Sequence, residues 1–229
     1  MKNFLFAVWT LLLINGNLAA QEKEIILVKA GTNILDYFPF KERYQFPEFR
    51  DGKVKFKNGL TSSGRFNYNI LTGEMDFVQA QDTMAFSNKK DISYVTVAMD
   101  TFFYSNGYVD LISHGHVKIG MKQRILLKEI ERKGAYGMTD RNSAIDTYNL
   151  VEAGGNFYKL TPNEDWVLGR SKQFYIKDSQ GEFILLNKKY LFDLFPLKRD
   201  SIKEYLKSNK VDFRSEDDMR KLGDYLDNL

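Results

Sequence analysis

The chain has 229 residues, with 33 lysines and arginines against 30 aspartates and glutamates, and it contains no cysteine. The lack of cysteine excludes a disulfide framework, a cysteine nucleophile, a thiolate metal site and a lipid anchor on an N-terminal cysteine. The net charge of +3 is spread along the chain and gives no electrostatic footprint for nucleic acid.

Residues 1–20, MKNFLFAVWTLLLINGNLAA, have the pattern of a secretory signal peptide. Lys2 precedes an apolar run from Phe4 to Ile14, and a polar break follows before the expected cleavage site after Ala20. The apolar run is too short for a membrane-spanning helix, which needs about 20 residues. The sequence therefore predicts a secreted protein, periplasmic or associated with the outer membrane, with no transmembrane segment after cleavage.

Alternating apolar and polar residues dominate the chain from Asp51 to Leu127, which is the period of half-buried strands. Asn58-Gly59 and Asn106-Gly107 are strong hairpin-turn dipeptides. The short connections leave no room for the helical crossovers that a parallel sheet requires. We therefore predict an antiparallel β-meander that forms a curved sheet or a partly closed barrel. The predicted strands contain Val54 and Phe56, Phe66 to Ile70, Met75 and Phe77, Thr83 to Phe86, Ile92 to Met99, Thr101 to Tyr104, Tyr108 to Ile112, and Val117 to Leu127.

Glycine, serine, asparagine and aspartate interrupt this pattern in residues 134–155, which predicts a loop or linker that could equally be a functional lid. After removal of residues 1–20, the chain would comprise a meander domain at 21–133 and a smaller segment at 156–229. The predicted class is mainly β, or α+β, because the smaller segment begins with strands and ends in helices. Its strands are predicted at NFYKL (156–160), QFYIKD (173–178) and EFILL (182–186).

Three short helices are predicted at the C-terminus. Asn187 can cap the first helix, which must end before Pro196. Apolar residues at helical spacing from Ile202 indicate the second helix. Ser215 followed by Asp218 resembles a capping box at the start of the third.

Most enzyme motifs are absent from the sequence, which has no G-x-S-x-G, H-E-x-x-H, Walker A, G-x-G-x-x-G or EF-hand pattern. Ser87-Asn88-Lys89-Lys90 matches the S-x-x-K motif of serine acyltransferases, but the companion motifs S-D-N and K-T-G are missing. The carboxylate pairs Glu164-Asp165 and Asp217-Asp218 are adjacent, and adjacent residues do not create the opposed geometry of a catalytic acid and base. We therefore predict no catalytic residue.

Both histidines lie in SHGHVKIG, residues 113–120, as His114 and His116. On one strand face they could reach a single zinc or copper ion, with Asp110 as a further weak candidate ligand. Gly115 is instead a natural turn position, and a turn there would join YVDLI to VKIGM as a hairpin with both histidines in water. Since the sequence has no third histidine and no cysteine, we predict neither a metal site nor any other cofactor.

Aromatic residues are abundant, with 18 phenylalanines, 13 tyrosines and 2 tryptophans. In RFNYN, residues 65–69, they are interleaved with arginine and asparagine, and they could stack on sugar rings or bases while the amides bind hydroxyl groups. Aromatic side chains more often fill the core of a β-rich protein. We therefore favour a core role for these rings.

NYNILTGEMDFV, residues 67–78, follows GKVKFKNG and precedes QAQDTMAFSN in the sequence. Together with the C-terminal YLKSNKVDFRSEDDMRKLGDYL, residues 205–226, it resembles a family of secreted proteins of Bacteroidetes that have no assigned activity. The resemblance covers most of the mature chain and implies a cell-envelope protein. Its motifs are structural, so it transfers no catalytic residue.

The leading functional hypothesis is a non-enzymatic cell-envelope protein that acts through contacts with an unknown protein partner. One alternative is a module that binds a small ligand such as a lipid, glycan or peptide. The other is an enzyme whose site is assembled from distant loops and leaves no motif. A closed barrel with an apolar cavity would favour the ligand, an exposed apolar patch would favour the partner, and a buried ionisable cluster would favour the enzyme.

Overall fold

A computed structural model describes residues 25–113, 115–133, 139–143 and 161–229. The predicted signal peptide and the predicted strand at 156–160 lie outside these ranges, as does His114. Most of the predicted loop at 134–155 lies outside them as well.

The described residues form one antiparallel sheet of twelve strands. The prediction of a mainly β fold with an antiparallel meander is confirmed. The strands are β1 (Ile25–Val28), β2 (Arg50–Phe56), β3 (Thr61–Asn69), β4 (Glu74–Gln79), β5 (Asp82–Ala85), β6 (Ile92–Val97), β7 (Asp100–Tyr104), β8 (Tyr108–Leu111), β9 (Ile119–Lys133), β10 (Thr139–Ser143), β11 (Asp165–Lys177) and β12 (Phe183–Leu185).

The sheet contains two runs of consecutive hairpins, β2 to β5 and β6 to β9, which meet where β6 pairs with the edge of β2. The chain returns from β5 to β6 through a single 3-10 turn at Lys89–Asp91. The order across the sheet is β1-β11-β9-β8-β7-β6-β2-β3-β4-β5, so β1 and β5 lie at opposite ends. The sheet is open and does not close into a barrel.

Strands β9 and β11 form the longest hairpin-like pair, with matched residues from Ile119 opposite Ile176 to Glu131 opposite Asp165. Through this pairing the strands of the C-terminal segment belong to the same sheet as the meander. Strand β10 pairs with the far end of β9, so residues 139–143 are a strand within the segment predicted as a loop or linker.

The sheet bends over its inner face, which carries Phe66, Tyr68 and Phe102. The backbone N–H of Ile125 on β9 donates to the carbonyl of Ile70, which follows β3, at 3.0 Å. The Tyr68 hydroxyl donates to a β9 carbonyl at 2.9 Å. These bonds bring β3 close to β9 and enclose the main apolar cluster, whose largest fully buried side chains include Tyr108, Phe38, Phe102, Ile34, Leu71 and Met75.

Helices α3 (Lys188–Leu194), α4 (Arg199–Ser208) and α5 (Glu216–Asp227) pack on the other half of the β9–β11 pair. The predicted caps are present: Asn187 Oδ1 accepts from Tyr190 N at 2.9 Å, and Ser215 Oγ accepts from Asp218 N at 3.3 Å. The three C-terminal helices are therefore confirmed, and their apolar stripes form a second cluster with Ile112, Ile119, Met121, Phe174 and Ile176.

A third cluster lies on the outer face, where Phe183 from β12 packs against Val109 and Leu111. Gly120 on β9 makes this possible, because a Cβ there would collide with Val109 Cγ1 and stand 3.3 Å from the Phe183 ring. Two helices of one turn each, α1 (Ile34–Tyr37) and α2 (Phe40–Arg43), connect β1 to the rest of the sheet and were not predicted.

We expect Gly120→Ala to lower the free energy of unfolding by about 1–3 kcal/mol, because the added methyl group overpacks the third cluster. Urea unfolding of the purified protein measures this change. Gly64→Ala is the matched control, since its added methyl group meets only the Phe66 ring, at 3.1 Å. An equal or smaller loss for Gly120→Ala would contradict the packing described here.

Candidate functional site

Several polar side chains are buried in the described part of the fold. Burial of charged groups is unfavourable unless they are paired, and ionisable groups with shifted pKa values concentrate at functional sites. These residues are therefore the candidates for a functional site. They are Asn67, Asn69, Glu74, Asp76, Asp110, Ser113 and Asp165.

Residues 43–48, which we call the crossing segment, connect two groups of these side chains. The segment precedes β2 in the chain and runs beside the C-terminal end of β3. Ile70 N donates to the Arg43 carbonyl at 2.6 Å, and Gln45 N donates to the Tyr68 carbonyl at 3.0 Å. Tyr44 lies opposite Asn69 in an isolated bridge. Because alternate side chains of an extended chain face opposite ways, Tyr44 points to the outer face and Gln45 to the inner face.

Asn67 fixes the crossing segment to β3. Its Oδ1 accepts from Phe46 N at 3.1 Å, and its Nδ2 donates to the carbonyls of Phe46 at 2.9 Å and Glu48 at 3.1 Å. One buried amide therefore satisfies three backbone groups of a neighbouring chain segment. The Asn side chains of RFNYN are thus structural, and the rings of Phe66 and Tyr68 lie in the core, at 3% and 2% exposure.

On the outer face, Asp76 of β4 is the centre of the first group. Its Oδ2 accepts from the Tyr44 hydroxyl at 2.8 Å and from Asn69 Nδ2 at 3.0 Å. Burial raises the pKa of Asp76, while these two hydrogen bonds and the charges of Arg43 and Lys89 counter the rise. Burial and the neighbouring Asp76 charge also raise the pKa of Tyr44.

Glu74 lies two residues before Asp76 and forms a buried ion pair with Lys89 from the 3-10 turn. Burial raises the pKa of Glu74, and the hydrogen bond and charge of Lys89 counter that rise. The S-x-x-K match at Ser87 and Lys90 has no such environment, because both of those residues are exposed.

On the inner face, Asp110 of β8 is 8% exposed and lies opposite Phe102 of the main apolar cluster and Met121 of the second cluster. Its Oδ2 accepts one hydrogen bond, from Gln45 Nε2 at 2.9 Å. Burial raises the pKa of Asp110 to about 7, and the charges of Asp100 and Glu216 add to the rise, whereas Gln45 and Arg220 oppose it.

Strands β8 and β9, on either side of the histidines, pair as a hairpin with Asp110 opposite Met121. His116 is exposed, and Gly115 packs so closely against Asp227 of α5 that a Cβ would collide with that carboxylate. Asp227 Oδ1 also accepts from Val117 N at 2.6 Å, which ties the hairpin tip to the last helix. The tip is therefore held by a helix contact that local sequence does not reveal.

The three candidate metal ligands have different surroundings. Asp110 is buried and bonded to Gln45, His116 is exposed, and His114 lies outside the described residues. Within the described ranges, no three His, Asp or Glu side chains are grouped so that they could hold a metal ion.

The remaining ionisable groups of interest also have structural contacts. Asp165 accepts from Lys29 Nζ at 2.7 Å and from Ala30 N at 2.9 Å, which anchors the end of β1 at the start of β11. Lys122 Nζ donates to two carbonyls of the β7–β8 turn, at 2.7 and 3.0 Å, and lies 4.4 Å from the centre of the Tyr175 ring. Burial lowers the pKa of Lys122 to about 8.

Exposed large apolar side chains are spread over the described structure, and two short strands each carry two of them, whereas Leu60, Met84, Met99 and Leu197 stand singly in turns or on β5. On β1, Ile25 is 71% and Leu27 is 38% exposed, and on β12, Ile184 and Leu185 are 36% and 45% exposed. Among the described strands, β1 pairs only with β11. One edge of this aliphatic strand therefore has no described partner.

No protein-family model, no curated protein and no solved structure matches the chain. None of the described helices is long and apolar enough to cross a membrane.

We expect Asn67→Ala to lower the free energy of unfolding by about 1–3 kcal/mol, because it leaves partly buried backbone groups of the crossing segment without their hydrogen-bond partner. Thermal and urea unfolding measure the loss. Asn58→Ala is the control, because Asn58 is an exposed turn residue with a single side-chain bond to Leu60 N at 3.0 Å. Equal losses for the two variants would show that Asn67 does not hold the segment.

We expect Lys89→Met to lower the free energy of unfolding by about 3–5 kcal/mol near neutral pH, because Glu74 is then left buried without its cation. The loss should shrink at acidic pH, where Glu74 can take up a proton. The double variant Glu74→Gln/Lys89→Met should recover part of the stability, as measured by urea unfolding. A double variant no more stable than Lys89→Met would argue against the buried pair.

Proposed function

We propose that the protein acts through protein contacts in the cell envelope and is not an enzyme. One observation carries this proposal: the buried carboxyl groups have structural partners, whereas apolar side chains of β1 are exposed. The buried carboxyl groups of Asp76, Glu74 and Asp165 accept hydrogen bonds from side chains that hold the fold together. The exposed Ile25 and Leu27 have no comparable role within the described residues.

Strand β1 has the chemistry of a site for strand addition. An edge strand offers unpaired N–H and C=O groups, and natural proteins usually protect such edges with charge, proline or a covering element. Ile25–Val28 contains only aliphatic residues, whereas the opposite end strand, β5, carries the charged Asp82 besides its exposed Met84. A partner segment that added a strand beside β1 would form main-chain hydrogen bonds and could cover Ile25 and Leu27.

The alternatives receive less support from the described residues. A small-ligand module would need a cavity, but the sheet is open and its inner face is filled by rings such as Tyr68, Phe102 and Tyr108. An enzyme is favoured by one observation, the raised pKa of Asp110. That carboxyl group is 8% exposed and bonded to Gln45, which leaves little access for a substrate.

The envelope location is part of the proposal. It is supported by the signal-peptide pattern of residues 1–20 and by the resemblance to secreted proteins of Bacteroidetes.

The proposal is tested with a photo-crosslinking residue placed at Leu27, in the protein expressed in its own cell envelope. We expect one defined protein adduct from position 27 and none from position 99, where Met99 is 91% exposed but lies in a turn away from β1. Lysines at an apolar edge oppose burial. The double variant Ile25→Lys/Leu27→Lys should therefore lower the affinity of the purified protein for the crosslinked partner by about tenfold or more.

Met99→Lys/Leu197→Lys is the matched control, because it adds the same charge at two exposed apolar positions. It should leave both the adduct and the affinity unchanged. Adducts of equal yield from positions 27 and 99, or equal affinities of the two double variants, would refute an interface at β1.

A further inference from the structure

We propose that Asp110 and Gln45 form a proton-dependent latch, which holds the crossing segment against the inner face when Asp110 is protonated and loosens it when Asp110 ionises. This inference is independent of the proposed function, since it concerns the interior of the fold and not the edge at β1.

The first evidence is an imbalance of donors and acceptors. Gln45 Nε2 donates to Asp110 Oδ2 at 2.9 Å, but Gln45 Oε1 is buried without any hydrogen-bond partner in the described structure. An ionised carboxylate is only an acceptor and cannot serve a second acceptor, whereas a protonated carboxyl group supplies one O–H donor. Protonation of Asp110 therefore provides the kind of group that the orphaned amide oxygen lacks.

The second evidence is the charge that surrounds Asp110. Burial, Asp100 on β7 and Glu216 on α5 disfavour a negative charge on Asp110, whereas the hydrogen bond from Gln45 and the charge of Arg220 on α5 favour it. Arg220 is already engaged, with Nη1 donating to the Ile112 carbonyl at 2.8 Å and Nη2 to Glu216 Oε1 at 2.9 Å. Within the described structure, Asp110 therefore lies close to acidic groups and has no ion pair.

The other charged or titratable neighbours do not change this balance. Lys172 of β11 pairs with Glu216 Oε2 at 3.2 Å. Tyr68 of β3 donates its hydroxyl to the Gln123 carbonyl, and the charge of Asp110 contributes to the raised pKa of that tyrosine. Burial therefore remains the largest influence on Asp110, and burial favours the neutral form.

The direction of the pH effect follows from the raised pKa. Burial raises the pKa of Asp110 to about 7, whereas an aspartate in an opened, solvated segment has a pKa of about 4. The closed state, in which the crossing segment lies against the inner face, therefore binds the proton more tightly than the opened state. This stabilisation of the closed state is complete below about pH 4 and is lost progressively up to about pH 7. Above that range both states are ionised, and no further change is expected.

Amide hydrogen exchange of the full-length protein tests the latch. In the wild type, after correction for intrinsic exchange, we expect protection of Gln45 N–H and Phe46 N–H to fall about tenfold per pH unit from pH 5 to 7 and then to level off. Asp110→Asn keeps the shape but cannot ionise, so its protection should be flat over the same range. The Gly59 amide, in the distant β2–β3 turn, should behave alike in both proteins.

Equal pH slopes for the wild type and Asp110→Asn at these two amides would overturn the latch. The comparison cancels every pH effect that the two proteins share. If Asp110→Asn does not fold, the 13C chemical shift of the Asp110 carboxyl group decides in the wild type. A titration midpoint between about 6 and 8 supports the proposal, and a midpoint below about 5 refutes it.

Discussion

The fold depends on one constraint, which is that the crossing segment must satisfy buried carboxyl groups on both faces of a bent sheet. Consecutive side chains of an extended chain face opposite ways. Tyr44 therefore reaches Asp76 on the outer face, and Gln45 reaches Asp110 on the inner face. The short extended segment thus links strand β4 to strand β8, which are far apart in the order of the sheet. Without it, two carboxyl groups would lose hydrogen bonds in places where water has little access, which is unfavourable by roughly 1–3 kcal/mol per group.

The two carboxyl groups differ because their neighbours differ. Asp76 accepts two hydrogen bonds, and the charges of nearby Arg43 and Lys89 favour its ionised form. Asp110 accepts one hydrogen bond and faces further negative charge from Asp100 and Glu216. Burial is the largest influence on the pKa of each group, but fewer hydrogen bonds and positive charges oppose the effect of burial at Asp110 than at Asp76. The proposed proton-dependent contact is therefore on the inner face, where the pKa of Asp110 is raised to about 7.

Turns and helix caps could be predicted from the sequence, because neighbouring residues determine them. The turn at Asn106-Gly107 has positive φ at both residues, 46° and 106°, which is the geometry that this dipeptide favours. Sequence could not reveal that β6 pairs with β2, because alternation identifies a strand without naming its neighbour. It also could not reveal that Asn67 is buried, since the covering chain belongs to a different part of the sequence. Strand β1 escaped prediction for the same reason, because four aliphatic residues become a strand only where β11 offers an edge.

Strand β1 and the crossing segment belong to the same N-terminal region of the chain, yet their hydrogen bonds anchor them separately. Strand β1 is fixed by its ladder with β11, by the bonds from Lys29 and Ala30 to Asp165, and by Gly31 N, which donates to the Pro162 carbonyl at 2.8 Å. None of these contacts involves the crossing segment or its carboxyl partners. Loosening of the crossing segment therefore leaves the supports of β1 in place. A partner bound at the edge could sense the pH through the short helices α1 and α2, which connect the two regions along the chain, or through the main apolar cluster, which contains Ile26 and Val28 and packs against Phe46. The two proposals therefore assign the fold a contact surface at one end of the sheet and a proton-sensitive contact in its interior, each held by its own hydrogen bonds.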